Sequence, residues 1–164
     1  MVVIQNIIHD GLILTACAAL FITITMWANP RIWLHDYPKE IQAMVPPKSE
    51  KEKRLSLMLG IPFLVLLFAF PFYSTLTLRI TTPGEISFGI LAINAFGVVF
   101  VFNLVDWLIL DWLMFCTITP PFVVIPGSEG ARGYKDYGYH FRGFLIGTLY
   151  SVLAGVIIGL TLWI

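Results

Sequence analysis

The chain has 164 residues, of which 58% are apolar, 15% aromatic and 12% charged, and its ten Lys/Arg balance its ten Asp/Glu. Its mean hydropathy is +0.85, and its charge content is about half the ~25% of a soluble domain. Too little polar surface remains to coat a water-soluble globule, and a disordered chain, a disulfide-stapled secreted scaffold and a nucleic-acid binder are excluded.

The composition predicts an all-α integral membrane protein, a single transmembrane domain over 1–164 with the lipid bilayer as its first partner. About 20 apolar residues at 1.5 Å each cross ~30 Å of hydrocarbon. The charge-free stretch 11–27, with the uncharged residues 2–8 upstream, predicts a first span at 7–28. Ala16-Cys17-Ala18 looks like a signal cleavage site, but His9 and Asp10 stand where a signal peptide carries basic residues. The helix is therefore read as retained.

In the first long loop, Asp36-Tyr37-Pro38 looks like a helix start, with a capping carboxylate and a proline in the first turn. Ile41, Met44 and Val45 give that helix an apolar side. Together with Ile32, Trp33 and Leu34 they predict a short interfacial helix along the membrane surface. Pro46-Pro47 ends it, and Ser49 with Glu52 forms a capping box that opens the second span, at 55–79. Pro62 and Pro71 free the carbonyls of Met58 and Leu67. Packing geometry is the simpler reading of that pair, and a helix broken around a site is the sharper one.

The third span, at 86–117, carries Asn94, Asn103, Asp106 and Asp111. Carboxylates inside a membrane are costly and mark functional positions, whereas a span that ends at Val105 leaves Asp106 at the cytoplasmic interface. At ~100° per residue Asp106 and Asp111 lie ~140° apart with Asn103 between them, so they share a broad arc but do not grip one ion without help from other helices. Arg142 is the expected partner of Asp111. Trp107 and Trp112 read as an aromatic belt, and a helix this long must tilt or project beyond the bilayer. Pro120-Pro121 stops it, and the second long loop ends in a run dense in Tyr, Asp and His.

The fourth span, at 142–164, holds Gly143, Gly147, Ser151, Gly155 and Gly159 at strict four-residue spacing. Such a ridge of small residues lets backbones pack closely in lipid. Its partner is either another span or span four of a second copy, and a homo-oligomer through this glycine face is one expectation. Nine of the ten basic residues lie in or at the edge of the two long loops, and only Arg79 lies at the other face. The positive-inside rule then predicts a cell-membrane four-helix bundle, up-down-up-down, with both long loops cytoplasmic and both termini outside.

The candidate site is a cytoplasm-facing polar pocket. His35, Asp36 and Tyr37 enter it from the first loop, Asp136, Tyr137, His140 and Arg142 from the second, and Asn103, Asp106 and Asp111 from the third span. The chain has no phosphate-cradling glycine spacing, no HExxH and no nucleophile elbow, so neither a cofactor nor a metal is expected. Cys17 and Cys116 read as free thiols. The best functional expectation is binding or transport of a cation or small ligand as an oligomer. A membrane-embedded enzyme acting on a lipid at the inner interface is an alternative, with Asp, His and Tyr as acid and base. A non-catalytic accessory subunit is another, and the residues leave open whether the protein is an enzyme.

Overall fold

The computed structural model describes residues 2–164, and they form helices joined by turns. The helices are α1 (Val2–Ala28), α2 (Lys39–Met44), α3 (Glu50–Thr81), α4 (Phe88–Val105) and α5 (Tyr137–Trp163). A π-helix, Asp106–Ile118, continues α4 without interruption. Four stretches are long and apolar enough to cross a membrane: Val2–Ala28, Glu50–Thr81, Phe88–Ile118 and Tyr137–Trp163. The chain is therefore an all-helical protein with four candidate membrane-spanning helices.

α4 is the centre of the bundle. It packs most extensively on α5 and then on α1, while α3 lies at the periphery with most of its apolar side chains exposed. Glycines make the close approaches. A Cβ at Gly155 would stand 2.8 Å from the carbonyl oxygen of Ala92, and one at Gly159 would stand 2.9 Å from the Ala92 Cα. The small-residue ridge of α5 thus packs on α4 of the same chain. On the other side of α4, a Cβ at Gly11 would meet Val101 at 2.7 Å and one at Gly97 would meet Ile7 at 2.7 Å. Nothing in the sequence pattern points to this second seam, because two isolated glycines make no repeat.

In the half of the bundle remote from the long loops, polar groups tie α1, α3 and α4 together. The Asn6 amide donates to Asn94 Oδ1 at 2.9 Å and to Ser74 Oγ at 3.0 Å. Asn94 donates in turn to Thr75 Oγ1 at 3.0 Å and to Ser74 Oγ at 3.4 Å. Thr75 Oγ1 donates to the carbonyl of Pro71 at 2.8 Å. α3 runs unbroken through both prolines, so the broken-helix reading of Pro62 and Pro71 does not hold.

At the other end the two long loops fold onto one another. Leu34, Tyr37, Ile41 and Val45 from the first bury against Val123, Ile125 and Tyr134 from the second. The expectation that Ile32 and Leu34 lie on the membrane surface is corrected here, since both are buried inside the protein. Hydrophobic burial within the chain claims these residues before lipid can. The Tyr37 hydroxyl donates to the Val123 carbonyl at 2.8 Å, and Tyr134 Oη accepts from the Ile125 N–H at 2.9 Å.

The Ser49–Glu52 capping box forms as expected, and Glu52 also holds Arg31, whose Nε lies 2.5 Å from its carboxylate. Lys48 reaches under the first loop to the Ile32 carbonyl and to Ser56 Oγ. The cap assigned to Asp36 is corrected. Pro38 occupies the N-cap of α2 and makes no side-chain cap, because Asp36 closes the preceding 3₁₀ turn, Pro30–Asp36.

Candidate functional site

The π winding of Asp106–Ile118 decides the geometry. Its signature is hydrogen bonding five residues back. The Thr119 N–H donates to the Met114 carbonyl at 2.8 Å, and Thr117 Oγ1 donates to the Trp112 carbonyl at 2.7 Å. Residues five apart therefore stack on one face. This corrects the ~140° separation of Asp106 and Asp111 derived from α-helical geometry, and both carboxylates line the same cavity. Thr119 ends the segment at φ 50°, a left-handed conformation strained for a β-branched residue. Lys135 Nζ supports that end, donating to the carbonyls of Cys116 at 2.6 Å and Thr117 at 3.1 Å and to Thr119 Oγ1 at 2.7 Å.

The cavity is about 670 Å³ and lies in the loop-bearing half of the bundle, walled by all four long helices and the first loop. That volume is ordinary for a small-molecule site, which runs roughly 300–1,000 Å³. It opens because the α5 ridge loses contact there. A Cβ at Gly155 collides with α4, whereas one at Gly143 meets nothing within 4 Å. Between them, the Asn103 amide lies over Gly147 and donates to the Phe144 carbonyl and to Thr148 Oγ1, each at 3.1 Å. Asn103 thus fixes one wall while facing the cavity.

The acidic groups in the cavity are not equivalent. Asp111 accepts from His140 Nδ1 at 2.9 Å. His140 is 5% exposed, and its Nε2 is buried without a partner. The Trp107 indole N–H is the other buried side-chain polar atom without a partner among the described residues, and its ring stacks on Phe144 at 4.4 Å. Asp106 has neither a hydrogen bond nor an ion pair among the described residues, and it feels the charges of Asp111, His140 and Asp36. Asp36 stands at the mouth of the cavity with one edge exposed. Burial of its carboxyl pushes it above the usual carboxylate range, against the pull of the Lys48 ammonium.

The candidate residues divide clearly. Asn103, Asp106, Asp111, Asp36, Tyr37, His140 and Arg142 line the cavity. The Tyr37 hydroxyl is already committed to Val123. Arg142 does not pair with Asp111 as expected, since its Nε donates to the Gly138 carbonyl at 3.3 Å while His140 takes the carboxylate. Asp136 lies outside because its carboxylate caps α5, accepting from the Tyr139 N–H at 2.9 Å. Tyr137 lies outside as well, its hydroxyl 3.0 Å from Thr117 Oγ1. His35 is exposed away from the cavity, and its carbonyl accepts from Gln42. Among the described residues, no three His, Cys, Asp or Glu side chains gather as metal ligands would.

The aromatic walls are absent from the sequence-level expectations. Trp33, Phe63, Phe102, Trp107, Tyr139 and Phe144 all face this space. The Trp33 indole donates to Thr25 Oγ1 at 2.9 Å, and Trp107, read from the sequence as part of an aromatic belt, turns its ring to the cavity wall instead. Compared with known proteins, the chain matches no family model, no curated protein and no solved structure.

Proposed function

We propose that this is a multi-pass membrane protein that binds a small cationic ligand in the cavity, with Asp106 as its counter-ion. The four spans run up-down-up-down, the long loops face the cytoplasm and the termini lie outside. The bias of basic residues toward the long loops supports that orientation. The observation that carries the reading is the state of Asp106. A carboxylate in a membrane cavity survives by taking a cation, water or a proton. Asp111 has its imidazole and Asp136 has its helix N-terminus, but Asp106 has no partner among the described residues. One chain lines the cavity from all four long helices and the first loop.

The test is thermal stabilisation of the purified protein by small cations, read against Asp106→Asn. A site filled to about 100 times its dissociation constant adds about 2.7 kcal/mol of stability. The wild type should show a saturable rise in Tm, and Asp106→Asn should fold equally well and show none. An equal rise in both proteins removes Asp106 from the site.

A second reading rests on the Asp111–His140 pair. A carboxylate holding Nδ1 while Nε2 stays unpaired is the arrangement of a general base. On that reading the protein is an enzyme of the membrane interface, and His140→Gln abolishes turnover of a lipid substrate.

A further inference from the structure

We infer that the ligand is an amphiphilic organic ammonium ion that enters from the bilayer: a cationic head held at Asp106 and an apolar body lying along the aromatic wall. The inference rests on the cation-binding reading and names the class of cation.

Size is the first argument. A metal ion with six waters at ~30 Å³ each fills ~180 Å³, under a third of the 670 Å³ available. The donor set is the second. Metal binding needs converging ligands, and no trio of His, Cys, Asp or Glu converges among the described residues. The walls are the third. Phe102, Phe144, Phe63, Trp33 and Trp107 offer the low-polarity surface and ring faces that suit alkylammonium ions and leave a hydrated inorganic ion unsatisfied.

The route of entry follows from the exposure of the lining. Ile146 and Tyr150 line the cavity, yet they are 55% and 63% exposed on the outer face of α5. That face belongs to a candidate spanning helix, so in a membrane it meets lipid tails. α3 and α5 touch only sparingly, and Phe63 lines the cavity from the α3 side. The cavity therefore reaches the bilayer through a lateral opening beside α5. A ligand using it must partition into lipid through an apolar part and still present a charge to Asp106. Asp36, Asp106 and Asp111 offer three carboxyl groups to such a head, and a bound cation favours their ionised form.

The experiment compares two probes with the same head and different bodies, hexyltrimethylammonium and tetramethylammonium. Binding is measured by calorimetry on wild-type protein and on Asp106→Asn, both in lipid nanodiscs, with Na⁺, K⁺ and Mg²⁺ as inorganic controls. Each buried methylene should tighten binding about fourfold. With partial burial of the chain, the hexyl probe should bind about 100-fold more tightly than the methyl one, and Asp106→Asn should weaken the hexyl probe at least tenfold. Ile146→Trp narrows the opening beside α5, and stopped-flow mixing should show the hexyl probe associating several-fold more slowly; an unchanged rate overturns the lateral entry. Equal affinity for the two ammonium probes overturns the amphiphile and leaves cation binding standing. Saturable binding of an inorganic ion alone does the same. Binding of the hexyl probe that ignores Asp106→Asn is partitioning into apolar surface and overturns both readings, as does the absence of binding by any cation.

Discussion

The two halves of the bundle handle buried polarity in opposite ways. The half remote from the loops satisfies its fully buried polar groups with neutral partners, and its ionisable pair, His9 and Asp10, closes on itself at 2.8 Å. Asn94, fully buried, reaches Asn6, Ser74 and Thr75, and the small residues of α5 press onto the α4 backbone with no space between. The loop-bearing half uses charged groups and leaves some of them open. Asp106 lacks a partner, two ring nitrogens are unpaired, and the same ridge of α5 stands away from its neighbour at Gly143. Hydrogen bonds between neutral groups act as glue between membrane helices, whereas an ionisable group in the membrane points to a ligand. One seam of one helix pair shows both modes, which separates the part of the protein that holds it together from the part that is kept hollow.

Substitutions along that seam test the separation most severely. Gly155→Leu drives a side chain into Ala92 and Phe96 and should cost about 3 kcal/mol or more, or prevent folding, as read by thermal unfolding in detergent. Gly143→Ala, about three turns away, enters open space and should be neutral or up to about 1 kcal/mol stabilising, since alanine also favours the helix. If both changes destabilise equally, the halves are not distinct.

A smaller effect distinguishes the polar groups themselves. Asn94→Leu removes three hydrogen bonds worth roughly 0.6 kcal/mol each in a membrane and leaves its partners unpaired, a loss of about 2 kcal/mol. Ammonium binding to the properly folded fraction should be unchanged, the reverse of the Asp106→Asn outcome.

The smallest effect is a pH dependence. The folded chain holds the Asp36 carboxyl above its ordinary value, so between that value and the raised one the folded state binds more protons than the unfolded state. The Asp36 contribution to stability is therefore best at acid pH and falls as pH rises through this window. Asp36→Asn should flatten that part of the curve and raise stability at neutral pH by less than about 1 kcal/mol, because the exposed edge of the residue is screened by solvent. A slope unchanged by the substitution means that the mouth of the cavity is fully hydrated.

The long apolar helices were legible because about twenty residues without a charge match the thickness of a bilayer and little else in a folded chain. The capping box at Ser49 and the contact of the α5 ridge with another helix were legible for a similar reason, since each is a fixed local spacing. Where the sequence misleads, the deciding information is not local. Ile32 and Leu34 look greasy in either environment, and only the presence of Val123 and Ile125 across the loop decides that Leu34 and its neighbours are buried. Asp36 and Asp136 follow one motif, an acid before a tyrosine, yet one lines the cavity and the other caps a helix. Asp36 is the last residue of its 3₁₀ turn, whereas Asp136 follows the 3₁₀ turn Arg132–Lys135 and stands at the N-cap of α5. The convergence of Asp106, Asp111, His140 and Asp36 is legible as residues sharing an end of the bundle. The face shared by the first two is not, because residue spacing alone does not distinguish a π winding from an α winding.

That winding also bears on how length changes in this helix are tolerated. Each turn of a π winding holds about one residue more than an α turn, so one deletion between Asp106 and Asp111 can be absorbed by a single turn reverting to α winding. With Leu108 deleted, the two carboxylates would stand four positions apart, and four is the α-helical interval for neighbours on one face. The His140 pairing and the loop attachments beyond it would keep their azimuth. Inserting a residue at the same point would exceed both intervals and turn Asp111 away from Asp106. The segment is thus asymmetric toward indels, permissive of loss and intolerant of gain.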